Sequence, residues 1–181
     1  MSELAGLGRL MTDRLDLRAV DQADLDALHR INADPGTCRY IPAGLDESPE
    51  VTRHWIDRAA ARWEADGLGY WTARLRAGAE VIGLGGAQRR PGFWNLYYRL
   101  DTAHWGHGYA AEIVRAAQQA SLALDPDLPL VAWIHTGNAA SRLIAERAGL
   151  RDYGFLEAGH WKGEPMHCYA DREPAFRQDT P

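Results

Sequence analysis

The segment from Trp94 to Ile134 constrains the fold more than any other part of the chain. Trp94 to Leu100 is rich in aromatic residues, as strands are, and Tyr109 to Leu124 repeats apolar residues at the spacing of one helical face. Asp125-Pro126-Asp127 ends that helix, and Leu128 to Ile134 is an apolar run typical of a buried strand. Two strands joined through a helix run parallel, so the sheet is expected to contain a parallel pair.

The remaining patterns add antiparallel strands and further helices. Leu15 to Val20 alternates apolar and polar residues, as a half-buried strand does, and Tyr70 to Arg76 and Glu80 to Ala87 form a predicted hairpin. More strands are expected near Tyr153 to Glu157 and Met166 to Ala170. Three further helices are predicted, from Asp21 to the Asp34-Pro35-Gly36 stop, from Ser48-Pro49 to Asp66-Gly67, and from Asn138 through Ala148 with Gly149 after it. One α/β domain with a mixed sheet accounts for the whole pattern.

The two ends of the chain lack these periodic patterns. Residues 1–11 are therefore predicted to be a flexible N-terminus, residues 12–170 the folded domain, and residues 171–181 a loose C-terminal tail. The first residues have neither a basic nor an apolar signal region, and no stretch reaches about 18 consecutive apolar residues. We therefore expect a cytoplasmic protein that does not associate with a membrane.

Charge and composition exclude several classes of partner. The net charge is −5, and the basic residues form no cluster, which argues against a nucleic-acid partner. Cys38 and Cys168 belong to no C-x-x-C pair, so neither a disulfide framework nor a cysteine zinc site is expected. His104 and His107 are three residues apart but have no third ligand beside them, so no metal site is predicted.

The chemistry-bearing segment is the glycine turn between the aromatic strand and the long helix. Gly106 and Gly108 allow a tight turn, and the first helical turn leaves unpaired N–H groups that favour an anion such as a pyrophosphate. A glycine turn without a ligand would look the same. Gly106, Gly108 and Ala111 also match G-x-G-x-x-A, but the motif lies past the middle of the chain and away from its strand. A dinucleotide-dependent reductase is therefore the less favoured alternative.

Two motifs resemble one known family. Trp105-Gly106-His107-Gly108-Tyr109-Ala110 resembles the [QR]-x-x-G-x-[GA] phosphate loop of the GNAT superfamily of N-acetyltransferases, in the W-G-x-G-Y-A form of the branch containing the ribosomal-protein alanine acetyltransferases. The segment from Asn138 to Leu150 is similar to that branch's N-x-x-S followed by E-[KR]-x-G-F. The resemblance runs from about Thr12 to Tyr169.

This resemblance implies a fold and a co-substrate. The fold is a mostly antiparallel mixed sheet, splayed between two parallel strands and covered by helices on both faces, with acetyl-CoA in the opening. Backbone groups of Leu100 and Asp101 would pair with the pantetheine arm, and Asn138 and Ser141 would face the pantetheine and the sulfur. The amides that would hold the pyrophosphate are those of Trp105, Gly106, His107, Gly108, Tyr109, Ala110 and Ala111.

The resemblance also implies direct acetyl transfer to a primary amine, with Ser141 as the catalytic residue. Many relatives protonate the thiolate with a tyrosine seven residues after the asparagine, but Ala145 stands there, and Ser141 is the expected substitute. A frequent glutamate base is replaced by Asn95. The remaining candidates for the base are Glu157, His160, Tyr97 and Tyr98.

The acceptor stays open at this point. The missing glutamate favours an amine of low pKa, either a protein N-terminus or a small-molecule amine, and a homodimer is left open. Because Asn95 and Ala145 depart from the family pattern, a non-catalytic acyl-CoA sensor of the same fold is an alternative.

Overall fold

The computed structural model of the chain describes residues 6–41, 44–155 and 166–175. The strands are β1 (Arg9–Met11), β2 (Leu15–Ala19), β3 (Tyr70–Leu75), β4 (Val81–Arg90), β5 (Phe93–Leu100), β6 (Leu130–His135), β7 (Arg151–Phe155) and β8 (Met166–Ala170). The helices are α1 (Leu25–Asn32), α2 (Pro49–Asp66), α3 (Tyr109–Leu124) and α4 (Ala139–Arg147). Within these residues the eight strands form one sheet in the order β1-β2-β3-β4-β5-β6-β8-β7.

The sheet opens between its two parallel strands. β5 and β6 pair only over Trp94–Leu96 and Leu130–Ala132, and every other pair in the sheet is antiparallel. Beyond Leu96, β5 stays bonded to β4 as far as Leu100, whereas β6 continues on β8 as far as His135. The predicted parallel pair and the predicted splay are both confirmed.

Helices cover both faces, as the resemblance implied. α3 packs on β4 and β5, where Ile113 and Ala117 join the large core cluster with Leu96 and Leu100. α1 and α2 pack on the other face, where Leu28 and Ile56 form a second cluster. Neighbouring residues of β5 therefore point to different helical layers, because side chains alternate along a strand.

Both ends contain order that the sequence did not predict. Arg9–Met11, within the segment predicted to be flexible, forms β1 and pairs antiparallel with β2. Arg9 holds the Asp16 carboxylate through two hydrogen bonds of 3.0 and 2.9 Å. A three-residue strand shows no readable period, so the local pattern missed it. At the other end, the Asp171 carboxylate accepts the Leu130 N–H at 3.0 Å, so the first residue of the predicted tail is anchored.

Most element boundaries agree with the sequence patterns. α3 and β8 match their predicted limits, and β4 extends three residues further, to Arg90, because it stays paired with β5 up to Phe93. Asp21 caps a short 3-10 turn (Gln22–Asp24), and α1 begins only at Leu25. The predicted strand from Tyr153 to Glu157 is observed as β7, and its last two residues lie outside the described part of the chain.

Candidate active site

The loop between β5 and α3 is a tight turn with an open outer side. Gly106 and Gly108 have φ values of +79° and +83°, in the left-handed region that favours glycine. A Cβ built on Gly106 would meet nothing within 4 Å, and one on Gly108 would meet only the Arg14 guanidinium at 3.2 Å. No described side chain therefore fills the space next to Gly106.

Five successive amides of this loop are unused. The Trp105 N–H donates to the Thr102 carbonyl at 3.3 Å, and the Ala111 N–H donates to the Gly108 carbonyl at 3.1 Å. Between them, the N–H groups of residues 106–110 have no acceptor in the part of the chain that the structure describes. Adjacent N–H groups at the start of a helix form an anion site, and the helix dipole adds to it. Of the seven residues whose amides were predicted to hold the pyrophosphate, Trp105 and Ala111 use theirs within the protein.

The buried Glu112 carboxylate holds the β5–α3 loop in place through Arg14. Glu112 is only 4% exposed, and its carboxylate accepts hydrogen bonds from the Thr12 hydroxyl and the Arg14 Nε, each at 2.5 Å. Arg14 also donates from Nη1 to the His107 carbonyl at 2.8 Å. Burial alone would raise the pKa of Glu112, but the hydrogen bonds from Thr12 and Arg14 outweigh it and lower that pKa. The residues between β1 and β2 therefore set the shape of the loop.

Aromatic side chains flank the same loop. Trp105 is 38% exposed, and its Nε1 donates to the Leu100 carbonyl at 2.9 Å. The ring of Tyr109 stacks on that of His107 at 5.8 Å and lies 4.6 Å from the Arg14 guanidinium carbon. These contacts hold Trp105, His107 and Tyr109 by their side chains and leave the amides of residues 106–110 available.

The open edge of β5 presents backbone groups to the gap. The Asp101 N–H donates to the Ile82 carbonyl at 2.9 Å, so by the alternation of an antiparallel pair the backbone groups of Tyr98 and Leu100 point away from β4. The Asp101 carboxylate is also engaged, by Arg30 Nη1 at 2.5 Å and the Ala103 N–H at 3.0 Å. The Asp101 N–H is thus used within the protein, whereas the Tyr98 backbone groups and the Leu100 N–H face the gap, and the Leu100 carbonyl accepts from Trp105 Nε1.

Asn138, Ser141 and Tyr98 come together at the start of α4. The Asn138 side-chain oxygen caps the helix by accepting the Ser141 N–H at 3.1 Å. The Tyr98 hydroxyl is buried without a hydrogen-bond partner, and Ser141 lies beside it without completing a bond. Burial raises the pKa of Tyr98, and the neighbouring Ser141 opposes this in part. Leaving a buried hydroxyl unsatisfied costs free energy.

The structure narrows the candidates for the general base. Glu157 and His160 lie outside the described residues. Burial raises the pKa of both Tyr97 and Tyr98, so both phenols stay protonated near neutral pH and act as donors. His135, which sequence reasoning missed, lies at the end of β6, and its Nδ1 accepts the Gly137 N–H at 3.0 Å. In the neutral ring this bond leaves the proton on Nε2, so His135 is also a donor there.

The opposite face of β5 carries a polar and aromatic surface. Asn95 donates to the Tyr70 hydroxyl at 3.0 Å, and the Tyr70 ring lies 5.5 Å from that of Tyr97 and 6.1 Å from that of Trp55. Trp55, Tyr70 and Tyr97 thus lie together below α1 and α2. This face is opposite α3, so a second substrate can approach the gap without crossing the phosphate loop.

Residues 6–41, 44–155 and 166–175 contain neither a membrane-spanning helix nor a metal-binding cluster. None of the helices there has the length and apolarity to cross a bilayer. No group of three His, Cys, Asp or Glu side chains there could hold a metal ion.

Comparison with known proteins agrees with this geometry. Residues 14–151 match the model of the acetyltransferase (GNAT) domain. The uncharacterized protein YkkB of Bacillus subtilis is 28% identical over 147 residues, which cover 78% of this chain and 84% of that protein. An acetyltransferase structure from Agrobacterium tumefaciens has a TM-score of 0.75 at 27% identity and covers 91% of this chain and 94% of its own. The ribosomal alpha-N-protein acetyltransferase RimL, in complex with coenzyme A, has a TM-score of 0.74 at 19% identity, over 89% of this chain and 95% of its own. The chain therefore belongs to the GNAT family and is an N-acetyltransferase.

Proposed function

We propose that the protein transfers the acetyl group of acetyl-CoA directly to a primary amine. The observation that carries this proposal is the row of five unused amides, residues 106–110, beside a sheet that opens after Leu96. A diphosphate needs such donors, and an extended pantetheine arm needs an open strand edge. The helix whose start carries these amides, α3, packs on β4 and β5.

Each part of the coenzyme has a matching group on the protein. The amides of residues 106–110 hold the diphosphate, and Glu112 and Arg14 keep their loop in shape. The Tyr98 carbonyl and the Leu100 N–H pair with the pantetheine arm, since they face the gap. Asn138 and Ser141, at the start of α4, lie next to the thioester end. Placement of two substrates in one cleft supplies much of the rate in such a transfer.

Amine attack and thiolate departure balance without a covalent enzyme intermediate. The amine nitrogen bonds to the thioester carbon, and the carbon–sulfur bond then breaks. The nitrogen loses one proton and the departing thiolate gains one. We assign the proton donation at sulfur to the Ser141 hydroxyl, with the Tyr98 hydroxyl beside it. The backbone N–H of Tyr98, which faces the gap, is the candidate donor to the oxyanion.

The acceptor proposed is an amine of low pKa, with a protein N-terminus or a small-molecule α-amine as the leading class. An α-amino group with a pKa near 7.8 is about 10–15% neutral at pH 7, whereas a lysine amine is below about 0.1% neutral. Asn95 stands where a glutamate base is frequent, and Tyr97 and Tyr98 are both hydrogen-bond donors near neutral pH. The name of RimL, which is an alpha-N-protein acetyltransferase, also supports an α-amine. A cytoplasmic location and a homodimer stay predictions.

Thiol release from acetyl-CoA in the presence of an amine panel tests this function. The panel contains peptides with free N-termini, amino acids, and amines without an α-amine. We expect acceptor-dependent thiol release that is fastest for α-amines, together with measurable coenzyme A binding by calorimetry. Tight coenzyme A binding without turnover of any amine would instead identify a non-catalytic sensor. No coenzyme A binding at all would contradict the proposed site.

A further inference from the structure

A half-buried arginine lies on the acceptor side of the opening. Arg99 is in β5, three residues beyond the last contact with β6, and its side chain is on the α1 and α2 face. Its Nη1 donates to the Asn32 side-chain oxygen and to the Gly44 carbonyl, both at 3.3 Å. The guanidinium also hydrogen-bonds with the Tyr97 side chain. No described carboxylate bonds to its Nε or Nη2, and neither atom is buried without a partner.

The Arg99 guanidinium is oriented by Asn32 and does not form an ion pair with the nearby Asp46 carboxylate. The nearby Asp46 carboxylate accepts the Thr52 hydroxyl at 2.7 Å and the Asn32 amide at 3.1 Å. The Asn32 amide group therefore lies between Asp46 and Arg99, and its orientation is fixed by both. Burial works to lower the pKa of Arg99, but Tyr97, Cys38 and Asp46 outweigh it and raise that pKa. The guanidinium is thus a permanent cation.

Two other arginines near the site have carboxylate partners. Arg14 pairs with Glu112 and Arg30 with Asp101, each at 2.5 Å, although both arginine side chains are about half exposed. Arg99 is more enclosed, and no described carboxylate lies within ion-pair distance of it. A partly desolvated charge without a counter-ion is costly, and a ligand carboxylate would remove that cost.

We propose that Arg99 binds a carboxylate of the acceptor, so that the preferred substrates are amines that also carry a carboxylate. This inference rests on the proposed acetyl transfer and narrows its substrate class. The guanidinium is fixed at Nη1 by Asn32 and Gly44, and it offers Nε and Nη2 to a bidentate carboxylate. Free amino acids and peptides with an acidic side chain near the N-terminus both have this chemistry.

Matched acceptor pairs test the inference on the intact protein. One arm compares amino acids with their amides, with kcat/KM expressed per neutral amine because amidation lowers the amine pKa. The other compares peptides that have Asp or Glu at the second position with peptides that have Asn or Gln there. We expect kcat/KM to be about 10- to 100-fold higher for the carboxylate member of the pair, mainly through a lower KM. The arm that shows the preference identifies whether the carboxylate comes from an amino acid or from a peptide side chain.

Substitution of Arg99 assigns the preference to this residue. Arg99→Gln is expected to reduce the ratio of kcat/KM between the carboxylate acceptor and its neutral match to near one. Arg99→Lys is expected to leave an intermediate ratio. Arg90→Gln is the matched control. Arg90 is also a half-buried arginine, and it lies in β4 about 20 Å along that strand from Leu84, the residue that pairs with Arg99. It should keep the ratio of the wild type.

The outcomes separate this inference from the proposed function. Turnover of neutral and carboxylate amines at equal kcat/KM, or a preference that survives Arg99→Gln, overturns the role of Arg99 and leaves acetyl transfer intact. No turnover of any amine overturns both. If Arg99→Gln fails to fold, two measurements still test the inference. The wild type must prefer the carboxylate acceptor, and Arg99→Lys must show a smaller preference than the wild type.

Discussion

The two faces of the opened sheet are built in different ways. On the α3 side, which we call the coenzyme half, the key groups are backbone amides of residues 106–110 and the free edge of β5. On the α1 and α2 side, the acceptor half, the key groups are side chains such as Asn95, Tyr97 and Arg99. One half uses groups that every residue carries, and the other uses groups that change with each substitution.

This difference explains how one family can keep a co-substrate while its acceptors vary. Backbone donors are positioned by a turn, a helix start and a strand splay, all of which survive changes in side-chain identity. The acceptor half can be altered at Tyr97 or Arg99 without moving the phosphate loop, because these residues face the other layer. The following variants test this division, beginning with the largest expected effect.

The largest effect is expected from a charge placed in the phosphate loop. Gly106→Asp adds a carboxylate beside the amides of residues 106–110, and two charges about 5 Å apart repel by roughly 3 kcal/mol at an effective dielectric constant near 20. Coenzyme A affinity, measured by calorimetry, should fall about 100-fold.

Gly92→Asp is the control for backbone strain. Gly92 lies in the β4–β5 turn with φ of +80°, against +79° for Gly106, and neither Cβ would meet an atom within 4 Å. Equal coenzyme A affinity in the two variants would show that the loop of residues 106–110 does not bind the coenzyme.

The next effect concerns the proton donor. Ser141→Ala should lower kcat about 10- to 100-fold and leave coenzyme A affinity within about threefold, because only the departing thiolate loses a partner. Ser121→Ala is the control, since Ser121 is a buried serine of α3 whose hydroxyl donates to the Gln118 carbonyl at 3.2 Å. A kcat that Ser141→Ala leaves within threefold of the wild type would refute this role.

A smaller effect is expected on the stability of the coenzyme half. Glu112→Gln replaces the charged acceptor of Thr12 and Arg14 and should lower the free energy of unfolding by about 1–2 kcal/mol at pH 7, since Arg14 is half exposed and screened by solvent. The pKa of folded Glu112 lies below its ordinary value of 4.5, so this contribution is present above about pH 4.5 and disappears as the pH falls through the folded value.

Urea unfolding at two pH values measures this contribution. The difference between wild type and Glu112→Gln should be largest at pH 7 and should shrink at pH 3. A difference that does not change with pH would mean that the ionised carboxylate is not what stabilises the loop.

The smallest effect separates the two adjacent tyrosines. Tyr98→Phe removes the hydroxyl beside Ser141 and should lower kcat about three- to tenfold, whereas Tyr97→Phe should change it less than about twofold. Because burial raises the pKa of Tyr97, its phenol is already protonated at pH 7, and the pH profile of kcat/KM should not move. A Tyr97→Phe variant that loses the basic limb of that profile would instead make Tyr97 the base.

The coenzyme half was largely predictable because its parts are contiguous in the sequence. Gly106 and Gly108 stand directly before the helix whose amides they expose, and Asn138 caps the helix that carries Ser141. The strand–helix–strand order also predicted the parallel pair of β5 and β6. Such local signals survive in one sequence without any knowledge of distant contacts.

The supporting and specificity contacts were not predictable, because they join distant positions. Arg14 and Glu112 are 98 residues apart, and Asn32 and Arg99 are 67 apart. No local period links such pairs, and the use of the Asp101 N–H by Ile82 depends on how β5 is registered against β4. Buried polar networks of this kind appear only once the fold brings their members together.

A crystal structure of the protein with acetyl-CoA tests the central claim most directly. The diphosphate oxygens should lie about 3 Å from amide nitrogens of residues 106–110, and the pantetheine arm should lie between β5 and β6 beyond Leu96. A coenzyme bound elsewhere, or a gap that its arm does not enter, would contradict the account.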